Sequence, residues 1–148
     1  LHTYTLKEKK LGFIFQSYNL FNELSVKDNI SLALIPLRYS QKQINQQTLI
    51  ALTLANIEHK KDEFVYNLSG GEKQRCAIAR ALVNNPDIIL CDEPTANLDY
   101  DNSMIFIQSL KELKKLNKTI ILATHDPIFE SLDFVDEIIN IKNGTICE

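Results

Sequence analysis

Two short apolar runs, Ile88-Ile89-Leu90-Cys91 and Thr119-Ile120-Ile121-Leu122-Ala123-Thr124, each end on side chains that can do chemistry, and a helical stretch lies between them. Ile105, Ile107, Leu110 and Leu113 place that helix across roughly 103 to 116. Strand, helix, strand in that order favours a parallel sheet with a right-handed crossover, because a right-twisted strand feeding a helix packs back onto its sheet only that way. Open sheets of this kind hold ligands beyond the carboxyl ends of their strands. There the first run ends in Asp92-Glu93 and the second in His125-Asp126-Pro127.

Adjacent carboxylates at a strand end point in different directions. Asp92 is a candidate to face a metal held by phosphate oxygens, since magnesium prefers one or two carboxylates plus substrate phosphates. Glu93 is left free to orient a water. The same pair could equally be a solvated strand end. Pro94 and Thr95 break the strand and leave Ala96-Asn97-Leu98-Asp99 as a loop. Asp126 can cap and Pro127 can take the first helical position, which fixes His125 between a strand end and a helix start. A lone histidine there is commonly structural.

Upstream lies Leu68-Ser69-Gly70-Gly71-Glu72-Lys73-Gln74-Arg75. Two glycines let backbone N–H groups approach an anion, and the helix that follows points its positive end at the same spot. Ser69 and Glu72 also fit a capping box, so a plain helix cap is the alternative reading. Cys76, Ala79, Leu82 and Val83 recur at helical spacing, with Arg75 and Arg80 outside that stripe, and Asn84-Asn85-Pro86 stops the helix. Earlier still, residues 11–15 read as a strand. Ser25 with Asp28 caps a helix carrying Ile30, Leu32 and Leu34, and Ser40 caps one carrying Ile44, Ile50 and Leu54. At the other end, Glu137 to Lys142, Asn143-Gly144 and Thr145 to Cys147 read as a hairpin with a type I′ turn.

With these pieces in place the chain resembles the nucleotide-binding domain of the ATP-binding-cassette (ABC) family over nearly its whole length. Leu68 to Arg75 resembles the family signature, Ile88 to Glu93 its Walker B strand, Ala96 to Asp99 its D-loop and His125 its switch histidine. Gly12-Phe13-Ile14-Phe15-Gln16 resembles the strand and glutamine of the Q-loop. The stretch from Gln16 through Tyr18-Asn19-Leu20-Phe21 to Ser25-Val26-Lys27-Asp28-Asn29-Ile30 is similar to the branch serving lipoprotein release and antimicrobial or peptide export.

The resemblance implies an α/β fold: a partial P-loop NTPase (RecA-like) parallel sheet with an inserted α-helical signature subdomain. Residues 1–19 and 84–148 would form the catalytic subdomain and residues 20–83 the helical one. It implies ATP and Mg2+ as cofactors, with hydrolysis between two nucleotide-binding domains facing head to tail. Asp92 would bind magnesium, Gln16 would complete that shell while sensing the transporter subunit, and Glu93 would act as general base or water orienter. His125 would contact the γ-phosphate. Ser69, Gly70 and Gly71, with Glu72 in the same nucleotide-binding set, would close on that phosphate from the opposite subunit. Asp99, also in that set, would link the two sites. A cytoplasmic helix of a transmembrane permease subunit would rest against the signature subdomain, with Tyr18, Leu20 and Phe21 as candidate lining or as plain packing.

The departure from the family is the absence of a G-x-x-x-x-G-K-[ST] phosphate loop, since Gly12, Gly70, Gly71 and Gly144 are the only glycines. That loop and its lysine would lie before Leu1, so the chain reads as a fragment of doubtful activity on its own. In the family the phosphate-loop strand lies beside the strand that ends at His125. Its loss would bare a hydrophobic edge at Thr119 to Thr124, open to another chain or to closure by the strand near Ile138 to Ile141.

Composition narrows the partners. A formal charge of −3 with scattered lysines gives no basic stripe for nucleic acid. No apolar run approaches the about 20 residues of a spanning helix, and Leu32 to Leu37 is interrupted by Pro36. A cytoplasmic protein peripheral at the inner face of the membrane, held there by the permease, is expected. Cys76, Cys91 and Cys147 lack metal spacing, and the first two read as core thiols. Three functions are weighed: the ATPase subunit of a transporter, a non-transport cassette ATPase, and a non-enzymatic fragment. Repair and chromosome cassettes carry a long coiled coil between Q-loop and signature, and no sustained heptads lie between Gln16 and Ser69 here.

Overall fold

The computed structural model describes residues 10–147. Strand β1 (Leu11–Ile14) leads into helix α1 (Val26–Ser31), a 3-10 turn over Leu32–Leu37 and helix α2 (Gln41–Leu54). Helix α3 (Gly70–Leu82), strand β2 (Ile88–Asp92), helix α4 (Tyr100–Lys115) and strand β3 (Thr119–Ala123) follow. A hairpin of β4 (Asn140–Lys142) and β5 (Thr145–Cys147) closes the described chain.

The caps form as the sequence predicts. Ser25 accepts from the Asp28 N–H, and Ser40 with Gln43 makes a reciprocal capping box. Helix α1 tightens into 3-10 geometry at Leu32, which carries Pro36 without ending at it and stops at the left-handed Arg38. Helix α4 begins at Tyr100, three residues before the predicted start, because the Asp99 carboxylate caps it by accepting from the Asn102 N–H.

The sheet runs β1-β2-β3, all parallel, with Gly12 beside Ile89 beside Ile120, and Ile14 beside Cys91 beside Leu122. That set of side chains faces α3 and α4. Ile14, Ile89 and Cys91 are buried there with Phe106, Ile107 and Leu110 of α4. Burial pushes the Cys76 and Cys91 thiols up to about 12, as expected of core thiols. Val26, Ile30, Leu34, Ile57 and Val65 complete the same core beneath α1 and α2. The opposite face carries Leu11, Phe13 and Ile121, all exposed.

Among the described residues β3 pairs only with β2, so its other side has no strand partner there. Ile121 on it is 56% exposed. The alternative of closure by residues 138–141 is not what forms. Asn143 and Gly144 both take positive φ (52° and 75°), and the chain folds Asn140–Lys142 back onto Thr145–Cys147 instead. Glu137, Ile138 and Ile139 lie outside that ladder, so the strand is shorter than the predicted Glu137 to Lys142.

Candidate functional site

Parallel pairing brings the ends of β1, β2 and β3 to one edge. Gln16 follows β1, Asp92 ends β2 with Glu93 just after it, and Thr124 and His125 follow β3. Two of the predicted residues meet there directly. His125 Nδ1 lies 2.7 Å from Glu93 Oε1, and the Thr124 hydroxyl donates to Glu93 Oε2 at 3.2 Å. Glu93 adopts φ 42°, a left-handed backbone uncommon for a non-glycine residue. The Glu93 N–H bonds the Ala123 carbonyl at 2.9 Å, which pins this turn to β3.

The hydrogen bond from His125 holds the Glu93 carboxyl below the ordinary carboxylate range, with the Thr124 hydroxyl adding to it. The same bond raises the imidazole pKa, followed by the plain attraction of the Glu93 charge. The carboxylate is the more sheltered partner at 24% side-chain exposure against 85% for the imidazole. The result is an ionised carboxylate beside an exposed histidine whose protonation it favours.

Asp92 is exposed at the sheet edge, and its side chain makes no hydrogen bond or ion pair among the described residues. An exposed carboxylate with both oxygens free is a hard donor suited to magnesium. No group of three or more His, Cys, Asp or Glu side chains clusters as a metal cage among the described residues. One or two carboxylates completed by phosphates and water is the coordination the edge can offer.

The loop after Asp92 is held by polar side chains, among which the Asp126 cap is the one the sequence predicts, while the bonds of Thr95, Asn97 and Asn102 are not foreseen by it. Thr95, 4% exposed, donates to Asp126 Oδ2 at 2.9 Å, and Asp126 Oδ1 accepts from the Ile128 N–H, capping the 3-10 turn Pro127–Ser131. The Asn97 amide donates to the Gln16 carbonyl at 2.9 Å. Asn102 donates to both Asp99 oxygens, at 2.9 and 3.1 Å. The spacing Asp-x-x-Asn at a helix start was the available signal for the last pair. Asn97 has no local signal, because its partner lies 81 residues away.

At the start of α3, Ser69 and Glu72 form the predicted capping box: the Glu72 carboxylate accepts from the Ser69 N–H at 2.8 Å, and the Ser69 hydroxyl accepts from the Glu72 N–H at 3.3 Å. The Ser69 backbone bond is what lowers the Glu72 pKa most, and Lys60 sits 3.6 Å from the same carboxylate. The capping reading is borne out, with the Gly70 and Gly71 amides left at the first turn of the helix. The glycines differ in their surroundings. A Cβ on Gly70 would sit 3.8 Å from the Asn97 carbonyl and 4.0 Å from the Tyr18 hydroxyl, in ordinary contact. On Gly71 it would fall 2.0 Å from Asn102 Oδ1. The D-loop thus packs on the signature glycines. No hydrogen bond joins Ser69–Glu72 to Asp92, Glu93 or His125 among the described residues.

Of the candidate groove residues, Leu20 packs against the core and Tyr18 is half-buried, leaving Phe21 exposed. A separate cleft of about 840 Å3 is lined by Thr53, Asn56, His59, Glu63 and Phe64, with none of the sheet-edge residues. No described helix is long and apolar enough to cross a membrane.

Comparison with known proteins agrees with this fold. The family profile described as ABC transporter matches residues 2–96. The chain is 41% identical over 144 residues to the macrolide export ATP-binding/permease protein MacB of Campylobacter jejuni, covering 95% of the chain and 22% of that protein. It is 40% identical over 129 residues to the cell division ATP-binding protein FtsE of Bacillus subtilis, covering 82% of the chain and 57% of the relative. Among solved structures, the dimeric ATP-binding cassette MJ0796 in a post-hydrolysis state with ADP and Pi superimposes with a TM-score of 0.68 at 39% identity, over 80% of this chain and 53% of that one. The chain therefore spans little more than half of these relatives at most. The fold of this chain is that of these cassettes, and the chain belongs to the ABC transporter family.

Proposed function

We propose that this chain is part of an ATP-binding and ATP-hydrolysing subunit of a transporter, acting through a membrane permease, with two such domains paired head to tail. The observation that carries the reading is the 2.7 Å contact of Glu93 with His125 beside the free carboxylate of Asp92. Kinship with a macrolide export protein and a dimeric cassette supports it. A place at the inner face of the membrane follows from the permease.

Phosphoryl transfer needs positioning and charge neutralisation more than covalent help from the protein. Glu93 stays ionised and is oriented by Thr124 and His125, so it can accept a hydrogen bond from an attacking water and take its proton as the phosphoryl group leaves. A strongly basic group is not required for that, so the lowered pKa is compatible with the role. His125, raised toward its cationic form, can turn from Glu93 to the γ-phosphate and offset charge there. Asp92, with Gln16 beside it on the same edge, would hold Mg2+, which when bound neutralises charge on the phosphate oxygens. The amides at Ser69, Gly70 and Gly71, on a helix start shaped by Glu72, would meet the phosphate of the opposite domain, with Asp99 at the junction.

Replacing Glu93 with Gln in the full-length protein keeps the shape and removes the charge. Loss of a general base typically costs 10²- to 10⁴-fold, about 3 to 5 kcal/mol of barrier. ATP should bind and stay unhydrolysed. Turnover at the parent rate would overturn the assignment.

A further inference from the structure

The segment that leaves β1 is held in an unusual backbone shape. Tyr18 and Asn19 sit at φ 60° and 49°, consecutive left-handed residues without a glycine. Such conformations persist only where their surroundings over-determine them. Here the surroundings are Arg80, on the third turn of α3. Its Nη2 donates to the Tyr18 carbonyl at 2.5 Å and its Nη1 donates to the Asn19 carbonyl. Planar forked donors suit two adjacent acceptors in a way a lysine cannot match. No carboxylate lies in ion-pair range of Arg80 among the described residues, so the guanidinium spends its charge on these two carbonyls. Its burial also lowers its pKa, in keeping with a group enclosed by the turn.

The turn is fastened at both flanks as well. Asn97 holds the Gln16 carbonyl on one side. On the other, buried Asn29 accepts from the Phe21 N–H at 2.8 Å and donates to the Phe21 carbonyl at 3.0 Å. The Tyr18 hydroxyl is buried without a partner and lies against Gly70 at the start of α3. The loop therefore touches α3 at its first turn and again at its third.

We propose that Arg80 is a positioning residue that clamps the left-handed turn Tyr18–Asn19 to α3, so that the loop carrying Gln16 and the helix led by Ser69, Gly70 and Gly71 move as one body. The clamp itself is independent of any ligand. Its consequence for turnover rests on the ATPase reading.

The test uses the full-length protein with Arg80→Gln and Arg80→Lys, read by amide hydrogen exchange and by ATP kinetics. In Arg80→Gln the Tyr18 and Asn19 amides should exchange at least tenfold faster. The amides of Cys76 to Ala79 in α3 and of Phe21, held by Asn29, should keep their parent rates. Arg80→Lys keeps the stem and charge but reaches one carbonyl, so it should show a smaller rise, about threefold, at the same two amides; it also carries the test if the Gln variant does not fold. In turnover, kcat should fall severalfold with KM for ATP within about twofold. Parent exchange rates at Tyr18 and Asn19, or an equal rise throughout α3, would overturn the clamp. A parent protein without ATPase activity would sink the function proposed above and leave the exchange result to decide the clamp.

Discussion

Gly12→Ala is the substitution whose cost the structure fixes most directly. A Cβ at this position in β1 would stand 2.5 Å from the Ala81 carbonyl oxygen and 3.0 Å from Pro86 Cγ. Ordinary contact begins near 3.4 Å, so β1 would have to retreat by about 0.9 Å from the last turn of α3. The obstacle is backbone oxygen, which cannot rotate away. Overpacking of this kind costs about 1–3 kcal/mol. Each ladder bond to β2 that the retreat weakens adds about 0.5–1.5 kcal/mol. Against this stand about 0.8 kcal/mol for the buried methyl and about 0.4–1 kcal/mol from a less flexible unfolded chain. At the middle of each range, with one ladder bond weakened, the net expectation is a loss of about 1.5 kcal/mol, which for a domain of about 150 residues or more lowers Tm by about 3–6 °C. Urea unfolding of the full-length protein and its Gly12→Ala variant, at unchanged m, measures it. Stability within about 0.5 kcal/mol of the parent would refute the claim that β1 and α3 meet with room for hydrogen alone. Because Gln16 follows β1 by two residues, the same retreat should also lower turnover.

The signature glycines should separate under the same substitution. Gly71→Ala drives Asn102 off Asp99; a hydrogen bond to a charged group is worth about 1.5–3 kcal/mol, reduced to about 1 kcal/mol at this exposed site. Gly70→Ala meets nothing closer than 3.8 Å and should stay within about 0.5 kcal/mol of the parent while still impairing turnover. Equal unfolding midpoints for the two variants would count against this packing. The Glu93–His125 contact predicts a pH window. A histidine raised from 6.5 contributes stability below 6.5 and loses it as pH rises through its folded value; a glutamate lowered from 4.5 contributes above 4.5 and loses it as pH falls through its folded value. The pair is therefore strongest between those two values. NMR titration should show the His125 pKa falling toward 6.5 in Glu93→Gln, and an unmoved midpoint would show that Glu93 is not its cause.

Much of this architecture follows from local rules that act over a few residues. Ser25, Ser40 and Ser69 cap where their sequence contexts say, and Ile88 to Asp92 and Thr119 to Ala123 are strands because their apolar runs are short and bounded. What local rules miss is long-range and polar. Arg80 falls outside the apolar stripe of α3, yet its reach brings it to carbonyls some 60 residues away in sequence. Gln74 is 2% exposed with both amide atoms unpartnered, which no periodicity argument anticipates. Ile138 and Ile139 have strand composition, but a strand needs a partner, and the Asn143-Gly144 turn commits only the residues from Asn140 onward. Hydrophobic pattern predicts which side of an element is buried; it does not say which polar group crosses to the neighbouring element.

The charge layout gives a physical reason for pairing two domains. Asp92 and Glu93 present carboxylates at one strand end, and the cationic partner there is the imidazole of His125. Two like unit charges 4 Å apart at a surface repel by about 4 kcal/mol. A triphosphate brought to this edge alone would meet that repulsion several times over, so the acids favour it only together with a cation. The start of α3 has the opposite character: free backbone N–H groups, the positive end of a helix, and a Glu72 carboxylate already engaged by the Ser69 amide and Lys60. Among the described residues the two are not bonded to each other; Asn97 of the loop and Asn102 at the start of α4 stand beside the glycines. An edge of carboxylates and a helix start of N–H donors would serve as complementary halves of the proposed phosphate site, and the proposed head-to-tail pairing would let the donors of one chain meet the anion and its cation at the acids of the other.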